Sequence, residues 1–457
     1  MPNSLFYIIP IVAIALTAWH FNKKEGEEME EDPPEDSLGD VSRKIMTLLD
    51  TTKKKFGDKY FHVKLAVTLP ALLQLINQAE ASRSSDTKSP RDEIYSKAGK
   101  TATAKELDGL GGYLDFADWA YLASRDEIKK KLAGRGYSLL KHQEARESGQ
   151  VGYFIATNAD TKTALIGVKG TSSMIDVLTD CCSAAVVRKL DQSFDPQDES
   201  LKEIRAHEGI LYSSLALAED LKPFIKEFFL PLGYTLLLCG HSLGAGAASL
   251  TSVLLRSQHP PLMKKGNIKV VAFASPPVLD HKAAKACSSF ITTIVNNSDC
   301  IPRTSLNNVQ ILLELLSGIQ EKLVEAGFDP VDMKSTSAFF AKLREGAAGE
   351  MIMSSEEGLK LLKKAQTMVS HDDPDHLYIA GEVMLLYQKW QDRRKMSKGK
   401  EAESEEKAAD EIVPEPKLPG YCVLTDGFAE PLSMIEISNE MVGDHLCGSH
   451  RIIIDSL

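Results

Sequence analysis

Apolar and polar positions repeat in two different ways along this chain, and each predicts a different kind of element. Residues 41–82 (VSRKIMTLLDTTKKKF, then YFHVKLAVTLPALLQLINQAEA) place apolar residues three and four apart, the period of a helix buried along one stripe. Residues 83–105 are rich in Ser, Thr and Lys and read as a loop or linker. Leu114–Ala123 is a further apolar-rich helix whose Trp119 and Tyr121 read as core packing. From residue 137 the period changes. Tyr153–Thr157, Leu165–Val168, Tyr234–Cys239, Ile268–Ala274 and Phe290–Asn296 are short apolar runs, several of them ending in Gly or Asn. The stretches His207–Phe229 and 243–257 between them are helical. Strands alternating with helices predict a mainly parallel sheet covered on both faces.

After Ser305 the pattern turns helical again, with amphipathic stretches at Asn308–Ala326, Lys334–Glu345 and Glu356–Val369. Ala380–Tyr387 reads as a strand, and Pro431–Ser438 followed by Met441–Cys447 reads as a strand and a turn. Between them, residues 389–400 carry six bases and one acid, and 401–416 carry seven acids and one base. Opposed blocks of this kind predict a solvated, mobile insertion.

The N-terminus is of another character. No charged side chain occurs from Met1 to Asn22, and the run Leu5–Trp19 is almost wholly apolar. As a helix the uncharged stretch reaches ~33 Å, enough for the hydrocarbon layer. With Lys23 and Lys24 directly after it, it predicts a single-pass anchor with a cytosolic body. The alternative is a cleaved signal peptide with Ala13-Ile14-Ala15 as its small-residue site, which would send the chain into the secretory pathway. The expected organisation is an anchor or signal at 1–22, an acidic spacer at 23–40, N-terminal helices and linker at 41–105, and a first core part at 106–305. A helical cap at 306–375, a core strand at 376–390, a charged loop at 391–418 and a final core part at 419–457 complete it.

Charge narrows the function. The 457 residues carry a net −11, but nine acids and no base fall within residues 25–40. The folded body is only mildly acidic, with no basic field to grip a polyanion, so no nucleic-acid partner is expected. The seven cysteines form no C-x-x-C and no Cys/His set at zinc spacing, so reduced thiols are expected, with no metal and no cofactor.

The chemistry lies in one pentapeptide. Gly240-His241-Ser242-Leu243-Gly244 fits G-x-S-x-G, follows an apolar strand and opens a helix. In that setting the glycines permit a sharp turn, the serine hydroxyl stands at the strand's tip, and the Leu243 N–H can face a developing oxyanion. Serine needs a base, and the base needs an orienting acid, expected in the order Ser, acid, His. Asp299 follows the strand FITTIVN, and Asp280 is its rival after the previous strand. Of the histidines downstream of Asp299 (His371, His376, His445 and His450), His445 follows the last predicted strand, where the base belongs. His371 and His376 lie in HDDPDH, read as a solvated acidic loop. Thr171, in the Gly-Thr-Ser that ends an earlier strand, offers a second oxyanion donor.

These residues carry a family resemblance. GHSLGAG, VKGTSSMIDVLTD, AHEG at 206–209, NNSDCIPR at 296–303 and SNEMVGDH resemble the class 3 lipases; AFASPP at 272–277 and DCIPRTS are most similar to their sn-1-specific diacylglycerol lipase branch. The resemblance covers roughly residues 110–305 and 375–457. It implies an α/β-hydrolase fold, from which this chain departs by an added helical cap between Asp299 and His445. It also implies Ser242 as nucleophile, Asp299 as acid and His445 as base, with Thr171 and Leu243 forming the oxyanion hole. Ile175–Asp180 aligns with the lid helix of simpler members. The function implied is hydrolysis of diacylglycerol to monoacylglycerol and fatty acid at a membrane surface. Phospholipase A1 and triacylglycerol lipase are the alternatives, and a non-catalytic lipid-binding scaffold is the alternative of another class. Beyond the lipid substrate, the stretch Trp390–Lys395 (WQDRRK) is readable as a calmodulin or lipid docking site.

Overall fold

The computed structural model describes residues 89–145, 149–171, 184–330, 332–344, 353–368, 373, 375–390, 392–393, 418–438 and 440–457, with residues 56, 59–60, 62–64, 67–68 and 71–76 before them. The N-terminal apolar segment, the lid-helix match at Ile175–Asp180, His371 and the charged run 401–416 lie outside the described residues.

Eleven strands are described: β1 (Lys100–Thr101), β2 (Ser138–Gln143), β3 (Tyr153–Asn158), β4 (Thr163–Val168), β5 (Ala185–Lys189), β6 (Glu203–His207), β7 (Thr235–His241), β8 (Ile268–Phe273), β9 (Ile291–Asn296), β10 (Glu382–Gln388) and β11 (Gly420–Asp426). Nine of them form one sheet in the order β1-β11-β10-β9-β8-β7-β4-β3-β2; β5 and β6 form a separate pair. The five strands from β4 to β10 within that order run parallel. Antiparallel strands close the sheet on both sides. A parallel core with helices on both faces and the G-x-S-x-G at the tip of a central strand is the α/β-hydrolase fold.

Burial on both faces explains the continuous apolar runs. In β7, Leu236 and Leu238 enter one core with Ile210, Leu221 and Leu250, while Leu237 and Cys239 enter the other with Leu114, Phe154 and Ile453. The principal helices are α1 (Pro90–Lys97), α2 (Leu110–Asp118), α3 (Arg125–Ala133), α4 (Glu208–Phe224), α5 (Leu243–Gln258), α6 (His281–Ala286), α7 (Leu306–Glu325), α8 (Met333–Arg344), α9 (Ser355–Thr367) and α10 (Cys447–Ile454). Helices α4 and α5 cover the first face, α2 and α10 the second. Leu238 has no exposed surface; truncating such a side chain to alanine costs ~2–5 kcal/mol.

Helices α7, α8 and α9 fall between Asp299 and His445 and share a core of their own. Ile311, Leu315, Ile319, Leu323, Phe339 and Ala365 pack there with Tyr60, Val63 and Val67 from far upstream. Two caps fix their starts: Ser305 accepts from the Asn308 N–H, and Ser354 and Glu357 form a reciprocal capping box.

Three expectations are corrected. Residues 83–105 are not a plain linker. Pro90 at the first turn starts α1, whose Tyr95 is buried against Val295 and Val383, and Lys100–Thr101 pairs with β11. Pro431–Ser438 is not a strand: Pro431 sits in a short 3-10 turn (Glu430–Leu432), and its missing N–H suits a turn better than a ladder. The last strand is instead β11, which the alternation rule passed over because only Cys422 and Val423 in it are buried.

Candidate active site

The site forms where β7, β8 and β9 end. Each is followed by a non-glycine residue in left-handed backbone: Ser242 (φ 60°), Ala274 (φ 54°) and Asn297 (φ 42°). Strain of this kind persists only where the surroundings hold it. At Ser242 the hold is visible: its N–H donates to the Phe273 carbonyl (2.9 Å), and its carbonyl accepts from Ala245 and Gly246. A side chain at Gly240 would strike Gly244, and one at Gly244 would strike Gly170. Both glycines are therefore demanded by the turn.

Ser242, His445 and Asp299, from three distant parts of the chain, form one hydrogen-bonded series. Ser242 Oγ lies 2.9 Å from His445 Nε2, and His445 Nδ1 lies 3.0 Å from Asp299 Oδ1. A carboxylate only accepts, so Nδ1 carries the proton and Nε2 is free to accept from the serine. All three are buried, Ser242 with 1% of its surface exposed. Burial alone would raise the Asp299 carboxyl, but the adjacent His445 imidazole and the Ile301 N–H hold it below the ordinary carboxylate value. Asp299 Oδ2 has no hydrogen-bond partner among the described residues.

The rival acid is elsewhere. Asp280 caps α6, accepting from the Ala283 N–H, and accepts from the Arg205 N–H. His376 stacks on Tyr378 at 4.3 Å, with its Nδ1 2.9 Å from the Asn307 amide nitrogen, away from the serine's hydrogen-bonded series. Leu243 is the first residue of α5, where N–H groups have no partner within the helix. Thr171 lies just past β4, whose Val168 pairs in register with Gly240. The close packing of Gly244 on Gly170 brings that strand end beside the serine turn. Among the described residues no three His, Cys, Asp or Glu side chains converge on a metal-sized site.

Several supporting residues went unread in the sequence. His241 Nε2 donates to the His445 carbonyl (2.6 Å), and its Nδ1 lies 3.1 Å from the Tyr121 hydroxyl. Burial, then the neighbouring His445 and His450, keep His241 neutral, well below the usual histidine range. Burial pushes His450 down to about 4. Tyr121, read as core packing, thus reaches the base through His241. Nothing in local pattern signals such contacts. In the WQDRRK stretch, Arg393 does not stand on a free basic face: it forms a two-pronged ion pair with Asp444.

Residues 165–309 match the model of the class 3 lipase family. Mouse (Mus musculus) diacylglycerol lipase-beta is 30% identical over 164 residues, 35% of this chain and 23% of its own. Rat (Rattus norvegicus) diacylglycerol lipase-alpha is 29% identical over 167 residues, 35% of this chain and 15% of its own. The matched region therefore spans less than a quarter of either relative's length. Among solved structures, the Rhizomucor miehei triacylglyceride lipase aligns over 45% of this chain and 76% of its own, with a TM-score of 0.37 and 21% identity. A lipase from Rhizopus microsporus var. chinensis aligns over 49% and 79%, also with a TM-score of 0.37 and 21% identity. Over residues 165–309 the chain is thus similar to the class 3 lipases, and over a comparable stretch to the diacylglycerol lipases.

Proposed function

We propose that this protein is a serine lipase that cleaves an acyl ester of diacylglycerol, releasing monoacylglycerol and a fatty acid. The observation that carries the reading is the unbroken series Ser242–His445–Asp299 at 2.9 and 3.0 Å. Ser242 Oγ attacks the ester carbonyl carbon as its proton passes to His445 Nε2. The resulting oxyanion faces the Leu243 N–H and the Gly170–Thr171 strand end. Collapse expels the glyceride alkoxide, which takes the proton from His445 and leaves an acyl-enzyme. Water then attacks that ester with His445 again as base, and the fatty acid departs. Asp299 holds the imidazole in the tautomer each step needs and stabilises its charged form.

The choice of diacylglycerol rests on the likeness to the diacylglycerol lipases in the catalytic region. Ser242 and His445 are shut away from water, so an acyl chain reaches them only when covering structure moves. That suits an enzyme working at a lipid surface, held there by residues 1–22. Turnover of defined diacylglycerols, triacylglycerols and phospholipids, each in the same mixed micelle, tests the reading. Preference for diacylglycerol is expected. Preference for a phospholipid or a triacylglycerol would replace it with phospholipase A1 or triacylglycerol lipase activity, and no turnover of any would favour a scaffold.

A further inference from the structure

The carboxylate next to the base is bonded to two other parts of the site. Asp444 directly precedes His445 in a short turn (Gly443–His445) and is 5% exposed. Its two oxygens take the Arg393 guanidinium end-on, at 2.8 and 3.0 Å. Oδ2 also accepts from the Ser298 N–H (3.1 Å), and the Asp444 carbonyl accepts from the Asn296 side chain (2.9 Å). Ser298 directly precedes Asp299, so one carboxylate joins the turn that carries the base to the turn that carries the acid. Arg393 follows β10, the strand beside β9 in the sheet.

We infer that the Arg393–Asp444 pair is a positioning device for the reaction, fixing the His445 turn against the Asp299 turn. The inference rests on the proposed roles of Ser242, His445 and Asp299. Neither Arg393 nor Asp444 joins the series that holds the reacting atoms; both act through backbone. An Arg–carboxylate pair with two parallel hydrogen bonds fixes angle as well as distance, which a single Lys contact does not. The fixed quantity is the geometry of two turns that carry adjacent members of one hydrogen-bonded series. A displacement near 1 Å in such a series lowers turnover by ~10²-fold. Burial pushes the Asp444 carboxyl above its usual value, while Arg393 and the Ser298 N–H pull against it. Arg393 thus opposes protonation of this carboxylate and orients it through two hydrogen bonds.

The test is steady-state hydrolysis of a short-chain p-nitrophenyl ester, with active sites counted by fluorophosphonate titration and folding followed by thermal melting. Asp444→Asn and Arg393→Gln should each lower kcat per titrated site by ~10–10²-fold, with KM within about twofold. The double variant should lose no more than the worse single one, because the two side chains act as a unit. Arg393→Lys, which keeps charge but not the fork, should recover only part of kcat. If either single variant melts lower yet each surviving site turns over at the wild-type kcat, the pair is merely structural and the inference fails. Additive losses would also overturn it. Absence of label at Ser242 in the wild-type chain would overturn the reading of the triad itself. Normal labelling with unchanged kcat in both single variants would overturn the positioning role alone.

Discussion

Gly244, at the start of α5, packs so closely on Gly170 that a methyl group on its Cα would lie 2.8 Å from the Gly170 nitrogen. The serine turn and the neighbouring strand end are thereby set in one fixed relation. Gly244→Ala must push that strand end away and spread the donors proposed to face the oxyanion. Loss of one such donor lowers kcat by ~10²–10³-fold, and overpacking of this kind costs ~1–3 kcal/mol. A kcat loss in that range with a modestly lower melting temperature is the expected outcome. Wild-type kcat in a folded Gly244→Ala protein would show that the strand end takes no part.

Asp299 and Asp280 are separable by the same conservative change. Asp299→Asn keeps the shape but favours the wrong imidazole tautomer, and kcat should fall by ~10⁴-fold. Asp280→Asn keeps a good helix cap for α6 and should leave kcat near wild type. Kinetics of the two variants under one condition check this. A crippled Asp280→Asn beside a mild Asp299→Asn would reverse the assignment.

Much of this site was legible in the sequence because its parts lie at strand ends, and strand ends are marked by local pattern. Leu236–Cys239 is apolar on both faces and stops at Gly240, so the serine's position follows from the run before it. Ile291–Asn296 does the same for Asp299. His445 was found by order in the chain, although the strand thought to precede it is a turn at Pro431 and the true last strand is β11. What could not be read is tertiary. Tyr121 and His241 are 120 positions apart, and Arg393 and Asp444 are 51 apart. No periodicity brings such pairs together. Likewise α1 reads as linker because Ile94 and Tyr95 are its only large apolar side chains, and only Tyr95 is buried.

Glu436 supplies a dependence on pH. Burial would raise its carboxyl, but Arg91, Arg303 and the Tyr95 hydroxyl hold it at about 2, against an ordinary 4.5. The folded state therefore keeps this group ionised where the unfolded chain takes up a proton. Its contribution is present above pH 4.5 and is lost as pH falls toward 2. Chemical denaturation across that window checks it. Glu436→Gln should be less stable than wild type at pH 7, and the difference should shrink as pH falls from 4.5 to 2. A gap that stays constant down to pH 2 would contradict the cause given.

In the proposed reaction Ser242 is a nucleophile because His445 takes its proton. Mass spectrometry of the Ser242 peptide after fluorophosphonate treatment tests it most directly, run on the wild-type chain and on His445→Ala. A phosphonyl adduct on Ser242 is expected in the wild type and almost none in the variant over the same time. An adduct on another residue, or labelling of Ser242 at the same rate without the imidazole, would contradict it.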